Sequence, residues 1–179
     1  MNRPLQILHL EDEADYSDLV QDLISQEVPS RLTRVSTRTD FEAALAGGPY
    51  DLILADYLLP DFDGLSALQI AHQQCPETPF LILSGTMAET EAIETVRRGA
   101  TDYVLKALPE RLLPAVKRAV AESVERTARR NIERELKQNE RHFQTFTENV
   151  LDGLMITNAE GNLLYSSPSL NNVLGFGPA

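Results

Sequence analysis

The chain has 179 residues, of which 42% are hydrophobic and 24% are charged. This composition excludes a disordered chain, and the length allows one substantial hydrophobic core with a smaller second unit. The formal net charge is -11 at pH 7, and residues 1–108 hold 7 basic and 18 acidic groups. Nucleic acid is therefore not the expected partner of this first segment, because phosphate backbones are bound by clustered Lys and Arg.

The cysteine content and the N-terminal sequence bear on the compartment. Cys75 is the single cysteine, which excludes an intrachain disulfide and suits a reducing cytoplasm. The opening MNRPLQILHL contains an apolar run that is too short for a signal peptide or a membrane span. We therefore expect a soluble, cytoplasmic protein with no membrane partner.

The first part of the chain repeats a strand followed by a helix. Four short apolar runs bounded by polar residues predict buried parallel strands, at 5–10, 51–56, 79–84 and 102–106. The alternating segment 32–37 predicts a further strand nearer an edge. Apolar residues at helical spacing follow each strand, and Asp40 is expected to cap the second helix. Five such units predict an α/β fold with a doubly wound parallel sheet over residues 1–125.

A long helix is expected after this sheet. Apolar residues recur at helical spacing from Leu112 to Phe146 with charged residues between them, and residues 115–152 contain no proline or glycine. We assign residues 126–144 to a helical linker. A coiled-coil homodimer would give its apolar stripe a partner. A solvated charged connector is the alternative, because Arg129 and Asn139 fall on candidate seam positions.

The last segment predicts a hairpin. Two apolar stretches flank NAEGN at 158–162, and Ser167-Pro168 predicts the start of a short helix. A lone hairpin is marginal in water, so residues 145–179 are expected to be the beginning of a domain that is cut short.

Polar residues follow four of the predicted strands, namely Glu11-Asp12, Asp56, Ser84 and Lys106. The carboxyl ends of parallel strands meet at one edge of a sheet, so these side chains should lie together. Three carboxylates repel one another unless a cation or a proton joins them, and Mg²⁺ prefers such oxygen ligands. We expect Asp12 and Asp56 to bind Mg²⁺ directly, Glu11 to bind it through water, and a backbone carbonyl just after Asp56 to add a ligand.

This constellation predicts phosphoryl transfer. The Asp56 carboxylate is the candidate nucleophile and would form an acyl phosphate. Lys106 would neutralise the phosphoryl oxygens, and the Ser84 hydroxyl would donate a hydrogen bond to one of them. Each residue alone has an ordinary interpretation as a loop, cap or surface residue. The order of these residues on successive strand ends favours the interpretation as a functional site.

The sequences around these residues are LILADYLLPDFDG at Asp56, FLILSGT at Ser84, and GATDYVLK at Tyr103 and Lys106. With Glu11-Asp12, they resemble the receiver domain of bacterial two-component response regulators over residues 5–125. The resemblance implies a flavodoxin-like fold, phosphorylation of Asp56, and a Mg²⁺ ligand from the carbonyl of Leu58. It also implies that Ser84 and Tyr103 form the switch pair.

One position departs from the family. Its lysine is commonly followed by a cis proline, whereas Ala107 follows Lys106 here. A cis bond before alanine would cost about 3–4 kcal/mol, so we expect a trans peptide and an altered loop.

Residues 142–176 resemble the opening of a PAS sensory domain, and no ligand is assigned to that segment. The order of receiver, charged helix and PAS resembles bacterial signalling proteins whose outputs lie further downstream.

The leading hypothesis is a receiver that takes a phosphoryl group from a sensor histidine kinase or phosphotransfer protein onto Asp56 and then changes conformation or dimerisation. It would not be an enzyme beyond its own phosphorylation and dephosphorylation. One alternative is a dimerisation scaffold that is independent of phosphorylation. Another is an aspartate-nucleophile phosphatase, although such enzymes usually carry a second Asp where this chain has Leu58.

Overall fold

The structure is a computed structural model that describes residues 3–60, 62–85, 89–149, 154–167 and 170. It divides the chain into two compact units, Met1–Thr127 and Ala128–Ala179.

The first unit contains a five-stranded sheet with the order β2-β1-β3-β4-β5, and every neighbouring pair is parallel. The strands are β1 (Leu5–Leu10), β2 (Ser30–Val35), β3 (Leu52–Asp56), β4 (Phe80–Ser84) and β5 (Asp102–Leu105). This topology confirms the predicted doubly wound parallel sheet.

Helices follow the strands in alternation, as the apolar spacing predicts. They are α1 (Ala14–Ser25), α2 (Arg38–Gly47), α3 (Gly64–Gln74), α4 (Glu89–Arg97) and α5 (Leu112–Asn149). A 3₁₀ turn, Pro109–Arg111, precedes α5, which is 38 residues long. The predicted long C-terminal helix is therefore confirmed.

Helices cover the sheet on both faces, and successive side chains of a strand point to opposite sides, so both faces are buried. On one face, Ile7 of β1 joins a cluster with the apolar residues of α1 and α5. On the other face, Leu8 joins a cluster with those of α2 and α3. The near-continuous apolar runs of β3 and β4 follow from this arrangement, since every residue of both strands is buried.

Two sequence predictions about β2 and α2 are wrong in detail. The strand expected at 32–37 is β2, which spans Ser30–Val35. Its pairing with β1 runs from Leu5 opposite Ser30 to Leu10 opposite Val35, where β1 also ends. The cap of α2 is Thr37 and not Asp40. Thr37 has an extended backbone and its hydroxyl oxygen accepts the Asp40 N–H at 3.1 Å, whereas Asp40 lies in the first helical turn.

The second unit contains the predicted hairpin. Strand β6 (Met155–Thr157) pairs antiparallel with β7 (Leu163–Ser166) around the turn at NAEGN. The buried Ser167 hydroxyl accepts the Leu154 N–H at 2.9 Å and holds the two ends together. The helical stretch predicted from Ser167-Pro168 falls mostly outside the described residues.

Among the residues that the structure describes, no helix is long and apolar enough to cross a membrane.

Gly64 opens α3 where the backbone passes close to Asp56, so an added side chain should disturb this turn. A Cβ atom at Gly64 would lie 2.6 Å from the Asp56 carbonyl oxygen. We expect Gly64→Ala to lower the free energy of unfolding by about 1–3 kcal/mol, because backbone must shift to accept the methyl group. Urea unfolding measures this. The matched control is Gly48→Ala, since Gly48 has extended backbone and open space around its Cβ. Equal midpoints for both variants would contradict the prediction.

Candidate functional site

The predicted acidic residues lie at the carboxyl ends of two neighbouring strands. Glu11 directly follows β1 and is fully buried, and its N–H donates to the Val35 carbonyl at 2.9 Å. Asp12 is exposed, and Asp56 is the last residue of β3. The Asp56 side chain is 12% exposed, so its carboxylate is largely enclosed but remains accessible from one side.

Lys106 joins two of these carboxylates. Its Nζ lies 2.7 Å from Glu11 Oε2 and 2.7 Å from Asp56 Oδ2. Its backbone N–H donates to the Ser84 carbonyl at 2.7 Å, which continues the β4–β5 pairing by one residue. The described residues contain no cis peptide, so the expected trans bond between Lys106 and Ala107 is confirmed. The lysine contacts both carboxylates without a following proline.

The pKa values of Glu11 and Lys106 reflect the opposing effects of burial and of nearby charges. Burial raises the pKa of Glu11 above its ordinary value, and the hydrogen bond from Lys106 opposes that shift. Burial alone would lower the pKa of Lys106, but hydrogen bonds to Asp56 and Glu11 outweigh it and raise the pKa. Lys106 is therefore a firmly charged ammonium group at neutral pH.

The acidic residues have the donor set of a divalent cation site. Glu11, Asp12 and Asp56 can each offer one carboxylate oxygen such that all three atoms lie within 4.8 Å of one another. One ammonium group neutralises at most one of three ionised carboxylates, so negative charge remains in excess. Hard oxygen donors with partly accessible carboxylates fit Mg²⁺, which keeps several waters and is usually bound by one or two carboxylates.

The remaining predicted residues lie around this cluster. The Leu58 N–H donates to Asp56 Oδ1 at 3.2 Å, while the Leu58 side chain is 65% exposed. Ser84 is the buried last residue of β4, next to β3. Tyr103 is half-buried on β5, opposite Ile82 and two residues before the partner of Ser84. The roles of Leu58, Ser84 and Tyr103 stay predictions.

Two aromatic residues near Lys106 have no predicted role in the site. Lys106 Nζ lies 4.3 Å from the centre of the Tyr16 ring, within cation–π distance. Burial raises the pKa of Tyr16 to about 12, so the ring stays neutral. His9 of β1 is fully buried, and burial together with Lys106 lowers its pKa to about 3. Tyr16 lies in the apolar pattern of α1 and His9 within β1, so neither position gives a local signal of a role in the site.

Arg34 was also missed. Its guanidinium group donates to the backbone carbonyl of Glu11 at 3.2 Å and to that of Asp12 at 3.3 Å. These bonds fix the loop that carries both acids. No local signal could have revealed them, since they join residues more than twenty positions apart and depend on the register of β2 against β1.

The family model of the response regulator receiver domain matches residues 7–117, which is more than half of the chain. The chain belongs to the response regulator receiver family. The match begins within β1 and covers the other four strands of the first unit and the residues of the acidic cluster. The recognition made from the motifs around Asp56, Ser84 and Lys106 is thereby confirmed.

Individual relatives agree with this assignment. The receiver is 33% identical over 101 residues to the response regulator protein PilR of Pseudomonas aeruginosa, covering 55% of this chain and 22% of PilR. It is 30% identical to the receiver domain of NtrX from Brucella abortus, with a TM-score of 0.60, covering 64% of this chain and 98% of that structure. A BeF₃-activated DrrB receiver domain is 25% identical, with a TM-score of 0.59 and coverage of 66% and 99%.

The chain spans about a fifth of the length of PilR, so the likeness concerns the receiver domain alone. What it supports is a general phosphoacceptor role in two-component signalling.

Removing the Lys106 charge should destabilise the receiver at neutral pH. In Lys106→Met the buried Glu11 carboxylate loses its cation, and we expect unfolding free energy to fall by about 3 kcal/mol in metal-free buffer. The pKa of Glu11 is already raised and should rise further. The folded variant then binds a proton that the unfolded chain has released. In the wild type this begins at the raised pKa of Glu11, so the deficit should grow as pH rises through that pKa toward the higher pKa of the variant, and shrink on acidification.

Urea unfolding at several pH values measures this deficit. The matched control is Lys117→Met, because Lys117 pairs with Glu27 on the exposed surface and such pairs contribute less than about 1 kcal/mol. Equal losses in the two variants, or a Lys106→Met deficit that is flat with pH, would contradict the prediction.

Proposed function

We propose that this receiver accepts a phosphoryl group on Asp56 from a sensor histidine kinase or phosphotransfer protein, and that the modification controls a downstream output. The observation that carries the proposal is the Asp56 carboxylate, accessible from one side and bonded to the Lys106 ammonium group at 2.7 Å. A fixed cation beside a partly accessible carboxylate favours a reaction that brings additional negative charge to that oxygen.

A magnesium ion belongs to this proposal. Asp12 and Asp56 would hold it directly, Glu11 would hold it through water, and the Leu58 carbonyl would complete the protein ligands. When bound, Mg²⁺ supplies the positive charge that attracts the phosphoryl oxygens to the carboxylate.

The protein groups have separate tasks in the transfer. An Asp56 oxygen forms the bond to phosphorus as the bond between phosphorus and the donor's nitrogen breaks, and the electron pair of that bond stays with the donor. The Lys106 ammonium group pairs with a phosphoryl oxygen, and the Ser84 hydroxyl donates to another. Ser84 and Tyr103 lie on neighbouring strands, so a shift of Ser84 can reach Tyr103 through the β4–β5 pairing.

Turnover as a phosphatase has less support. A general base for water attack would have to stand beside the acyl phosphate. Two residues after Asp56, the position that carries the second acid in aspartate-nucleophile phosphatases, the chain presents the apolar and exposed Leu58. We propose that the receiver is a switch with a slowly hydrolysed phosphoryl group and not a phosphatase.

The proposed domain scheme is a receiver at 1–125, a linker at 126–144 and the start of a PAS domain at 145–179, in a cytoplasmic protein that binds no nucleic acid. A coiled-coil homodimer is part of the scheme, and exposed apolar side chains of α5 support it. They are Val124, Ile132, Leu136, Phe143 and Phe146. The hairpin β6–β7 supports the PAS assignment, because its apolar side chains are also exposed and need a partner.

Phosphoryl labelling tests the central proposal. With a small phosphodonor and Mg²⁺, we expect the wild-type chain to gain one phosphate in intact-mass spectra, because Asp56 is the nucleophile. Asp56→Asn and a wild-type sample with excess chelator should gain none. The matched control is Asp63→Asn, since Asp63 lies in the same loop but caps α3 through the Ser66 N–H at 2.7 Å. Labelling of Asp56→Asn would refute the assignment.

The scaffold alternative differs in its response to phosphorylation. We expect the solution mass of the wild-type chain to change when Mg²⁺ and beryllofluoride, a phosphoryl mimic, are added. Light scattering with and without the mimic measures this. Leu136→Lys places a charge on the apolar stripe and should reduce the dimer fraction, whereas Gln138→Lys changes an exposed position on the opposite face of the same helix and should not. A dimer of unchanged stability in the presence of the mimic would favour the scaffold.

A further inference from the structure

His9 is a fully buried polar residue beside the acidic cluster. It lies on β1 two residues before Glu11 and is 0% exposed. Its Nδ1 lies 3.0 Å from the Ser17 hydroxyl oxygen on α1. Its Nε2 has no hydrogen-bond partner among the described residues, and Glu11 Oε2 lies 3.8 Å away. A buried ring nitrogen without a hydrogen-bond partner costs free energy, and the acceptor that this nitrogen faces is Glu11.

The neighbours of the ring select one tautomer. When the Ser17 hydroxyl donates to Nδ1, the ring hydrogen is on Nε2 and faces the Glu11 carboxylate. The opposite tautomer would direct the Nε2 lone pair at that carboxylate, which is repulsive. The favoured arrangement is therefore a chain of donors that runs from Ser17 through His9 toward Glu11.

Glu11 has a different donor in the unphosphorylated site. Its Oε2 accepts from Lys106 Nζ at 2.7 Å, and the same ammonium group also contacts Asp56 at 2.7 Å. A phosphoryl group on Asp56 would bring dianionic oxygens to that ammonium group and compete with Glu11 for it. Glu11 is fully buried, so the loss of Lys106 would leave a carboxylate oxygen without a donor.

We propose that His9 is a positioning residue, whose Nε2–H moves onto Glu11 Oε2 when Lys106 turns to the phosphoryl group. The gap of 3.8 Å closes to hydrogen-bond length with a small rotation of either side chain. The exchange keeps Glu11 in place in the loaded site and releases Lys106 from it. This inference rests on the proposed function, because it describes the same site with the phosphoryl group present.

Beryllofluoride binding to the full chain tests the exchange. We expect His9→Leu to bind beryllofluoride in the presence of Mg²⁺ about tenfold more weakly than the wild type, as befits one lost hydrogen bond to a charged group. The affinity for Mg²⁺ without beryllofluoride should change less than twofold, because Lys106 still donates a hydrogen bond to Glu11. His9→Gln, whose amide can donate from nearly the same place as Nε2, should recover most of the affinity. Calorimetric titration measures both constants.

The matched control is Ile7→Val, which trims a core residue on the same face of β1 without removing a donor. It should lower the unfolding midpoint and leave beryllofluoride affinity unchanged. A merely structural role for His9 predicts that His9→Leu and His9→Gln both bind like the wild type, or that both are weakened equally. Either result would overturn the inference.

A measurement on the wild type keeps the test decisive if the variants do not fold. The chain has three histidines, so their ring nitrogens can be followed by NMR. On adding Mg²⁺ with beryllofluoride, the Nε2–H proton of one buried histidine should move downfield and exchange more slowly with water. An unchanged signal in a sample that binds beryllofluoride would overturn the inference alone. Failure of the wild type to bind beryllofluoride would instead count against the proposed function.

Discussion

The ammonium group of Lys106, held between the carboxylates of Glu11 and Asp56, is the interaction on which the site depends. Glu11 is fully buried, and a buried carboxylate without a cation would be neutralised by a proton or would destabilise the fold. One ammonium group holds both carboxylates at 2.7 Å and still leaves negative charge in excess. That excess of negative charge favours the binding of a divalent cation. A bound cation, together with the ammonium group, would in turn attract an anionic phosphoryl group.

Groups from several elements hold this interaction in place. The Tyr16 ring contacts the ammonium group from α1, and Arg34 holds the loop of the two acids from β2. The Ser84 carbonyl accepts the Lys106 N–H and extends the β4–β5 pairing up to the site. The acidic cluster is therefore shaped by contacts that reach across the whole sheet, although its chemical groups come from a few strand ends.

The sequence allowed the sheet and its principal polar residues to be predicted because both leave local patterns. Short apolar runs give β1, β3, β4 and β5, and a polar residue at the end of each run gives its position at the sheet edge. Arg34 and Tyr16 left no such pattern, since their contacts depend on register and helix packing. The end of β2 and the cap at Thr37 differ from the prediction because Ser36-Thr37 continues the alternation of the strand in sequence, whereas Thr37 caps α2. The roles of the linker and of the hairpin stay predictions.

The contact between Glu11 and Lys106 joins residues 95 positions apart, and the contact between Asp56 and Lys106 joins residues 50 apart. Such contacts contribute to stability only after the entropic cost of closing a long loop has been offset. While the chain is being synthesised, the acids on β1 and β3 exist well before the edge strand that brings their cation. The Asp56 carboxylate therefore acquires its electrostatic setting only when β5 has paired with β4 and placed Lys106 beside it.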